Sequence, residues 1–178
     1  MYNFSFLESS RISLRPIEPE DLELLYQIEN DSRVWSTCNT TMPYSKFFLR
    51  KYLENMQGDI FIDKQLRLVI ERKSDCQSIG IIDLYDVLPL HQRAEMGIII
   101  LEEHRNEGYG KEAITLLLDY AFNHLILHQV YAQVSENNTS SLSMFKSCGF
   151  TEVTRLKDWI FSPDGFTDVL LLQKIADN

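Results

Sequence analysis

The segment Arg105-Asn106-Glu107-Gly108-Tyr109-Gly110-Lys111 follows the apolar run Met96, Ile98, Ile99, Ile100 and Leu101 and opens an amphipathic helical pattern. A strand that feeds a glycine-rich turn into a helix N-terminus gathers unpaired backbone N–H groups and the positive end of the helix dipole at one spot. Glycines let an anion approach that backbone closely, so a phosphorylated ligand is expected on the turn, with Arg105 and Lys111 adding cationic charge. A second reactive group lies just upstream. Glu95, a carboxylate on the same strand, is of a type that can accept a proton.

A scaffold for these groups can be read along the chain. A strand is expected over residues 11–15, followed by a Pro-, Glu- and Asp-rich helix start at 16–21 and the apolar stripe Leu22, Leu25, Tyr26 and Ile28. A second helix over 45–55 carries Phe48, Leu49 and Tyr52 on one face. Strands at 67–72 and 79–87 are joined by the polar turn 73–77, and a strand at 94–101 runs into the glycine-rich turn. On that strand the alternation sets Glu95, Gly97 and Ile99 on one face and Ala94, Met96 and Ile98 on the other. Ile114, Leu117, Leu118, Ala121 and Leu125 form the core-facing stripe of the next helix. A strand at 130–134, a short helix at 140–147 stopped by Gly149, and strands at 159–162 and 166–172 around Pro163-Asp164-Gly165 complete the chain. The fold class is α/β: a mixed, mostly antiparallel sheet flanked by helices, closing on a hairpin.

With 178 residues the chain suits one domain with a sizeable core, and it has no apolar run near the roughly 20 residues needed to cross a bilayer. The N-terminus lacks the basic region and long apolar stretch of a signal peptide, so a cytoplasmic protein with no membrane partner is expected. Cys38, Cys76 and Cys148 are odd in number and lack CxxC spacing, as expected of reduced thiols rather than a disulfide framework or zinc site. The formal net charge of -9 argues against nucleic acid as a partner and weakly favours a cationic substrate. His124 and His128 are four residues apart without the glutamate of H-E-x-x-H, and no metal is expected.

Three phosphate-binding patterns compete for the turn. Gly108 to Ala113 fits the dinucleotide form G-x-G-x-x-A, with Glu136 after the next strand as a ribose ligand, but too little chain follows to build a doubly wound domain. A P-loop fails because Glu112, not Ser or Thr, follows Gly110-Lys111. The third pattern uses more residues. Arg105-x-x-Gly108-x-Gly110, with Asn138-x-x-Ser141-x-x-x-Phe145-x-x-x-Gly149-Phe150 one helix and one strand later, resembles the two motif blocks of the GNAT superfamily of N-acetyltransferases.

That resemblance implies one acetyltransferase domain over residues 1–178. Within it, 1–10 would be an extension, 11–92 the acceptor-side half and 93–178 the half that binds acetyl-CoA. The cosubstrate pyrophosphate would lie on the backbone of Arg105, Asn106, Glu107, Gly108, Tyr109, Gly110 and Lys111. Ile98, Ile99 and Ile100 would pair with the pantetheine arm like an added strand, and one of their N–H groups would polarise the thioester carbonyl. Asn138 would orient that arm or cap the short helix, with Ser141, Phe145 and Lys146 completing the cofactor side. An amine acceptor, as an alkyl ammonium of pKa roughly 10, would have to lose a proton before attack, and Glu95 would be the base, acting through a water. Phe145 stands where many relatives place a tyrosine that protonates the leaving thiolate, and it has no proton to give. A thiol of pKa about 8.5 leaves tolerably without an acid, and Ser141, one turn earlier on the same helix face, could hold a water in its place.

Leu14-Arg15-Pro16, Pro19-Glu20-Asp21-Leu22 and Arg93-Ala94-Glu95-Met96-Gly97-Ile98-Ile99-Ile100 look like the spermidine N-acetyltransferase branch. The ribosomal-protein-alanine N-acetyltransferases share the opening block. A polyamine acceptor would need spaced carboxylates, for which Glu29, Asp31, Asp83, Asp86 and Glu95 are candidates, with Tyr44 and Met96 nearby. Thr40-Thr41-Met42 departs from that branch, where acidic residues precede Pro43-Tyr44. Alternative readings are acetylation of a protein N-terminal amine or another small amine, or a weakly catalytic acyl-CoA-binding regulatory module. The branch also implies a homo-oligomer, a dimer or larger.

Overall fold

The computed structural model describes residues 5–33, 35, 40–162 and 165–177. Seven strands form one sheet: β1 Ile12–Pro16, β2 Gln65–Arg72, β3 Gln77–Leu88, β4 Arg93–Ile100, β5 Gln129–Ser135, β6 Thr151–Ser162 and β7 Gly165–Ile175. Their order is β1-β2-β3-β4-β5-β7-β6, and every neighbouring pair is antiparallel except β4 and β5. The helices are α1 Leu22–Glu29, α2 Lys46–Asn55, α3 Ile60–Asp63, α4 Tyr109–Asn123 and α5 Thr139–Ser147. This is the expected α/β architecture.

The period-two alternation divides the sheet into an apolar and a polar face. Leu68 and Ile70 of β2, Ile82 and Leu84 of β3, Ala94 and Met96 of β4, and Val130 and Ala132 of β5 join one core cluster with Ala113, Ile114, Leu117 and Leu118 of α4. Leu125 packs against that core from beyond the helix end. The opposite face is lined in register by Arg67 beside Asp83, Tyr85 beside Glu95, and Glu95 beside Tyr131.

Two features position the site. The parallel ladder between β4 and β5 covers only Arg93–Glu95 against Gln129–Tyr131, after which the strands diverge. Among the described residues, the β5-side backbone of Met96–Ile100 therefore has no strand partner. Gly80 supports the same stretch from β3, because a Cβ there would lie 2.2 Å from the Ile99 carbonyl oxygen.

β6 is longer than its expected 159–162 core. Its first eight residues, Thr-Glu-Val-Thr-Arg-Leu-Lys-Asp, form a sheet edge and are mostly exposed on both faces, so they lack the one-sided burial that makes a strand legible. Register shifts after Glu152 and Leu156 and the positive φ of Asp158 (50°) blur the alternation further. The single turn α3, capped by the Asp59 side chain, and the 3-10 turn Ser5–Leu7 are too short to show a helical period. Ser5–Leu7 packs against α4, and Leu7 contributes to the core. Pro163, Asp164 and Cys38 lie outside the described residues, while Ser162 pairs with Gly165 across the hairpin. Cys76 and Cys148 are free thiols.

Candidate active site

On the cofactor side, the turn after β4 is shaped by backbone conformations that favour particular residues. Asn106 (φ 64°) and Gly108 (φ 84°) are left-handed, a region that asparagine tolerates better than most residues and glycine occupies freely. Gly108 caps α4, so the N–H groups of Tyr109, Gly110 and Lys111 open the helix without intrahelical acceptors. Arg105 Nε donates to the Ile100 carbonyl (3.0 Å), tying the turn back to β4. Arg11 fastens it from outside: Nε donates to Glu112 (2.8 Å), an Nη donates to the Glu107 carbonyl (3.0 Å), and the guanidinium lies 4.8 Å over the Tyr109 ring.

A cavity of about 640 Å³ opens between these elements. Ile98, Ile99 and Ile100 form one wall, Arg105, Asn106 and Gly108–Lys111 a second, and Asn138 and Ser141 a third. An unpaired strand edge beside a ring of free amides fits a long amide-bearing arm ending in a diphosphate. Gly110 lets α4 and α5 meet closely, since a Cβ there would lie 2.6 Å from the Met144 sulfur and the methionine would have to move aside. The sequence also left out Arg33, His104, Ser140, Ser143, Met144 and Ser147 from this lining: Arg33 comes from the segment after α1, His104 from the 3-10 turn Glu102–His104, and the others from α5.

Some expected cofactor residues are placed elsewhere. Lys146 pairs with Glu152 (3.0 Å) and is not on the cavity wall. Glu107 contributes its carbonyl to Arg11 and likewise does not line the cavity. Asn138 caps α5, its side-chain oxygen accepting from the Ser141 N–H (3.1 Å), and also faces the cavity. Phe145 is 3% exposed and packs edge-on against Phe150 with ring centroids 5.0 Å apart. It is a core residue, absent from the cavity lining, so the helical spacing that groups it with Ser141 does not carry it to the wall.

On the acceptor side, Glu95 is 7% exposed on the polar face of the sheet. Burial pushes its carboxyl above the ordinary range, against hydrogen bonds from Tyr85, Gln133 and Tyr131 that favour the ionised form. Gln133 Nε2 donates to Glu95 Oε2 (3.2 Å), and Trp159 Nε1 donates to Gln133 Oε1 (3.1 Å). The Tyr131 hydroxyl donates to Asp86 (3.1 Å) and so has a single proton to share between Asp86 and Glu95. Burial, then the two carboxylates, pushes that phenol well up. Asp86 has φ 48° at the bulge where the β3–β4 register shifts. Gly97 leaves room for the Tyr85 ring, whose Cε1 would lie 3.1 Å from an added Cβ.

Tyr85, Tyr131, Gln133 and Trp159 were missed by the sequence reading. The first three could have been found by carrying the alternation of Glu95 across to β3 and β5. Trp159 depends on the path of β6.

The other expected acceptor residues are not at this site. Arg67 donates to Asp83 at 3.0 and 2.9 Å and to Glu29 at 2.7 Å, so two of the carboxylates satisfy one buried guanidinium. Burial pushes the Asp83 carboxyl up, opposed by the two-pronged arginine contact, which favours the ionised form. Asp31 is held by Arg33 (2.8 Å), and this contact keeps its carboxyl below the ordinary range. The Tyr44 ring stacks on Phe48 (5.3 Å), and its N–H donates to Asn30 (2.8 Å). Met96 is 2% exposed within the core. It is corrected to a packing residue, because strand alternation turns it away from Glu95. Among the described residues no group of three or more His, Cys, Asp and Glu side chains is arranged to hold a metal, and no helix is long and apolar enough to cross a membrane.

Residues 11–151 match the acetyltransferase (GNAT) domain family. The spermidine N(1)-acetyltransferase of Vibrio cholerae is 31% identical over 161 residues, which cover 90% of this chain and 91% of that protein. The Escherichia coli K12 spermidine N(1)-acetyltransferase is 30% identical over 79% of this chain and 73% of its own length. A crystal structure of the Vibrio cholerae spermidine N-acetyltransferase in complex with CoA and spermine superposes with a TM-score of 0.84 at 28% identity, covering 94% of this chain and 96% of that one. A dodecameric structure of spermidine N-acetyltransferase from Vibrio cholerae gives 0.79 over 94% and 95%. The free strand edge and helix-N-terminal amides thus coincide with a family match spanning both motif blocks: this chain belongs to the GNAT family of acetyltransferases, which use acetyl-CoA.

Proposed function

We propose that this enzyme acetylates a primary amine of a polyamine such as spermidine or spermine. The observation that carries the reading is the pair of carboxylates, Glu95 and Asp86, on either side of the Tyr131 hydroxyl, with Tyr85 and Trp159 beside them. An ammonium is attracted to carboxylates and to aromatic faces alike. Glu95 lies three residues before Ile98 on one strand, roughly 10 Å from it, so the base and the cofactor edge share a single rigid element.

The cosubstrate supplies an acetyl thioester. Ile98–Ile100 hold its arm by backbone pairing, and the amides of residues 109–111 hold its diphosphate. Glu95 accepts the ammonium proton, a task helped by a carboxyl whose affinity for protons is raised by burial. The amine nitrogen then attacks the acetyl carbon, the C–N bond forms, the C–S bond breaks without a tyrosine acid, and the second proton that the nitrogen sheds as the amide forms passes through water to the departing thiolate.

The absent tyrosine favours a second reading, a slow enzyme or acyl-CoA-binding module. A protein N-terminal amine is a further acceptor, compatible with the exposed aromatic groups. Thiol release measured with spermidine, spermine, other small amines and N-terminal peptides separates these readings. Selective turnover of polyamines supports the proposal; CoA binding without release on any amine replaces it with the binding module. We further propose a single-domain, cytoplasmic homo-oligomer. The exposed β6 edge with Val153, Trp159 and Phe161 supports self-association, as does the dodecameric relative.

A further inference from the structure

Gln133 is constrained at both ends of its amide. The Trp159 indole N–H can only donate, so it selects the amide oxygen (3.1 Å). The amide nitrogen is then the end that faces Glu95 Oε2 (3.2 Å), to which it donates. Rotating the amide by half a turn would break both bonds and set oxygen against oxygen.

We infer that Gln133 is a positioning residue for Glu95 and that Trp159 fixes its orientation, so the C-terminal hairpin sets the direction and proton affinity of the base. The physical step is simple. A fixed N–H donor stabilises the ionised carboxylate and partly offsets the effect of burial. Tyr85 and Asp86 from β3, Tyr131 from β5 and Arg93 from β4 also act on this cluster, and all remain when Gln133 or Trp159 is replaced. Trp159 is 59% exposed on a hairpin strand, so anything that repositions β6 reaches the base through this one amide. The inference rests on Glu95 serving as the base of the proposed reaction.

The test is a carbon NMR titration of the Glu95 side-chain carboxyl in the full-length protein without substrate, its signal assigned by loss in Glu95→Gln. Gln133→Leu should move the midpoint upward by roughly half to one pH unit. Trp159→Phe should move it upward by less, and the double variant should match Gln133→Leu alone. CoA binding measured by calorimetry should be unchanged in all three, as expected of folded proteins with an intact cofactor side. An unmoved midpoint in Gln133→Leu overturns the inference. So does a Trp159→Phe shift that adds in full to that of Gln133→Leu, because Trp159 would then not act through the amide. The acid limb of kcat/KM for spermine should follow the NMR midpoint. A moved midpoint with an unmoved limb keeps the positioning role and removes Glu95 as the base.

Discussion

The two ends of β4 hold two differently built candidate sites. At its C-terminal end the chain offers backbone: an unpaired strand edge and a ring of helix-terminal amides, drawn mainly from residues 96–111. At its N-terminal end it offers side chains from four strands: Asp86 and Tyr85 of β3, Glu95 of β4, Tyr131 and Gln133 of β5, and Trp159 of β6. A site made of backbone depends on conformation and tolerates most changes of residue type. A site made of side chains depends on which neighbours the sheet happens to bring together. Cofactor use should therefore be common to proteins of this fold, while the acceptor is set chain by chain.

Substitutions can break or sharpen this contrast. Glu95→Gln should have the largest effect, lowering kcat by roughly 10²–10⁴-fold while CoA affinity by calorimetry stays unchanged. Wild-type turnover in that variant would refute the acid–base role. In the unsubstituted enzyme the same carboxyl, pushed up by burial, should place the acid limb of kcat/KM above the ordinary glutamate value of roughly 4.3. Activity should fall as pH drops through that raised value, because the base is then protonated.

Gly80→Ala should come next, since the new methyl meets a backbone oxygen that cannot swing aside. A loss of about 1–3 kcal/mol is expected, read as a Tm lower by several degrees. An unchanged Tm would show that β3 and β4 can part there at no cost. Gly108→Ala should cost about 1–2 kcal/mol through its left-handed backbone and weaken CoA binding, with the KM for the amine unaffected. If the amine KM moved instead, the separation of the two sites would be wrong.

Asp86→Asn keeps a residue suited to positive φ and should raise the KM for spermine by up to about fivefold, the scale of one exposed ion pair. Asp31→Asn, removing a carboxylate already held by Arg33, should leave that KM unchanged. Smallest of all, Lys146→Ala should not alter CoA affinity, because its ammonium faces Glu152 rather than the cavity.

The contrast also explains what could be read in advance. The turn, the α4 stripe and the two faces of β4 follow from spacings of two to four residues, and the structure has them, except that Leu125 falls beyond the end of α4. The acceptor carboxylates were chosen by charge and approximate position. Glu29 and Asp83 instead converge on Arg67, which the antiparallel register of β2 and β3 places directly beside Asp83. No local pattern announces such a pairing, and Arg67 carried no signal of its own in the sequence.

By itself the sequence determined much of the local conformation: the alternation of most strands, the starts of the longer helices and the glycine-rich turn. These depend on sterics and hydrogen bonds among near neighbours in the chain. Only the tertiary structure decided that β4 leaves β5 after Glu95, that β6 brings Trp159 to Gln133, and which carboxylates are already neutralised by arginine. Those outcomes depend on register and packing between segments far apart along the chain, where one residue of slip would exchange the two faces of a strand.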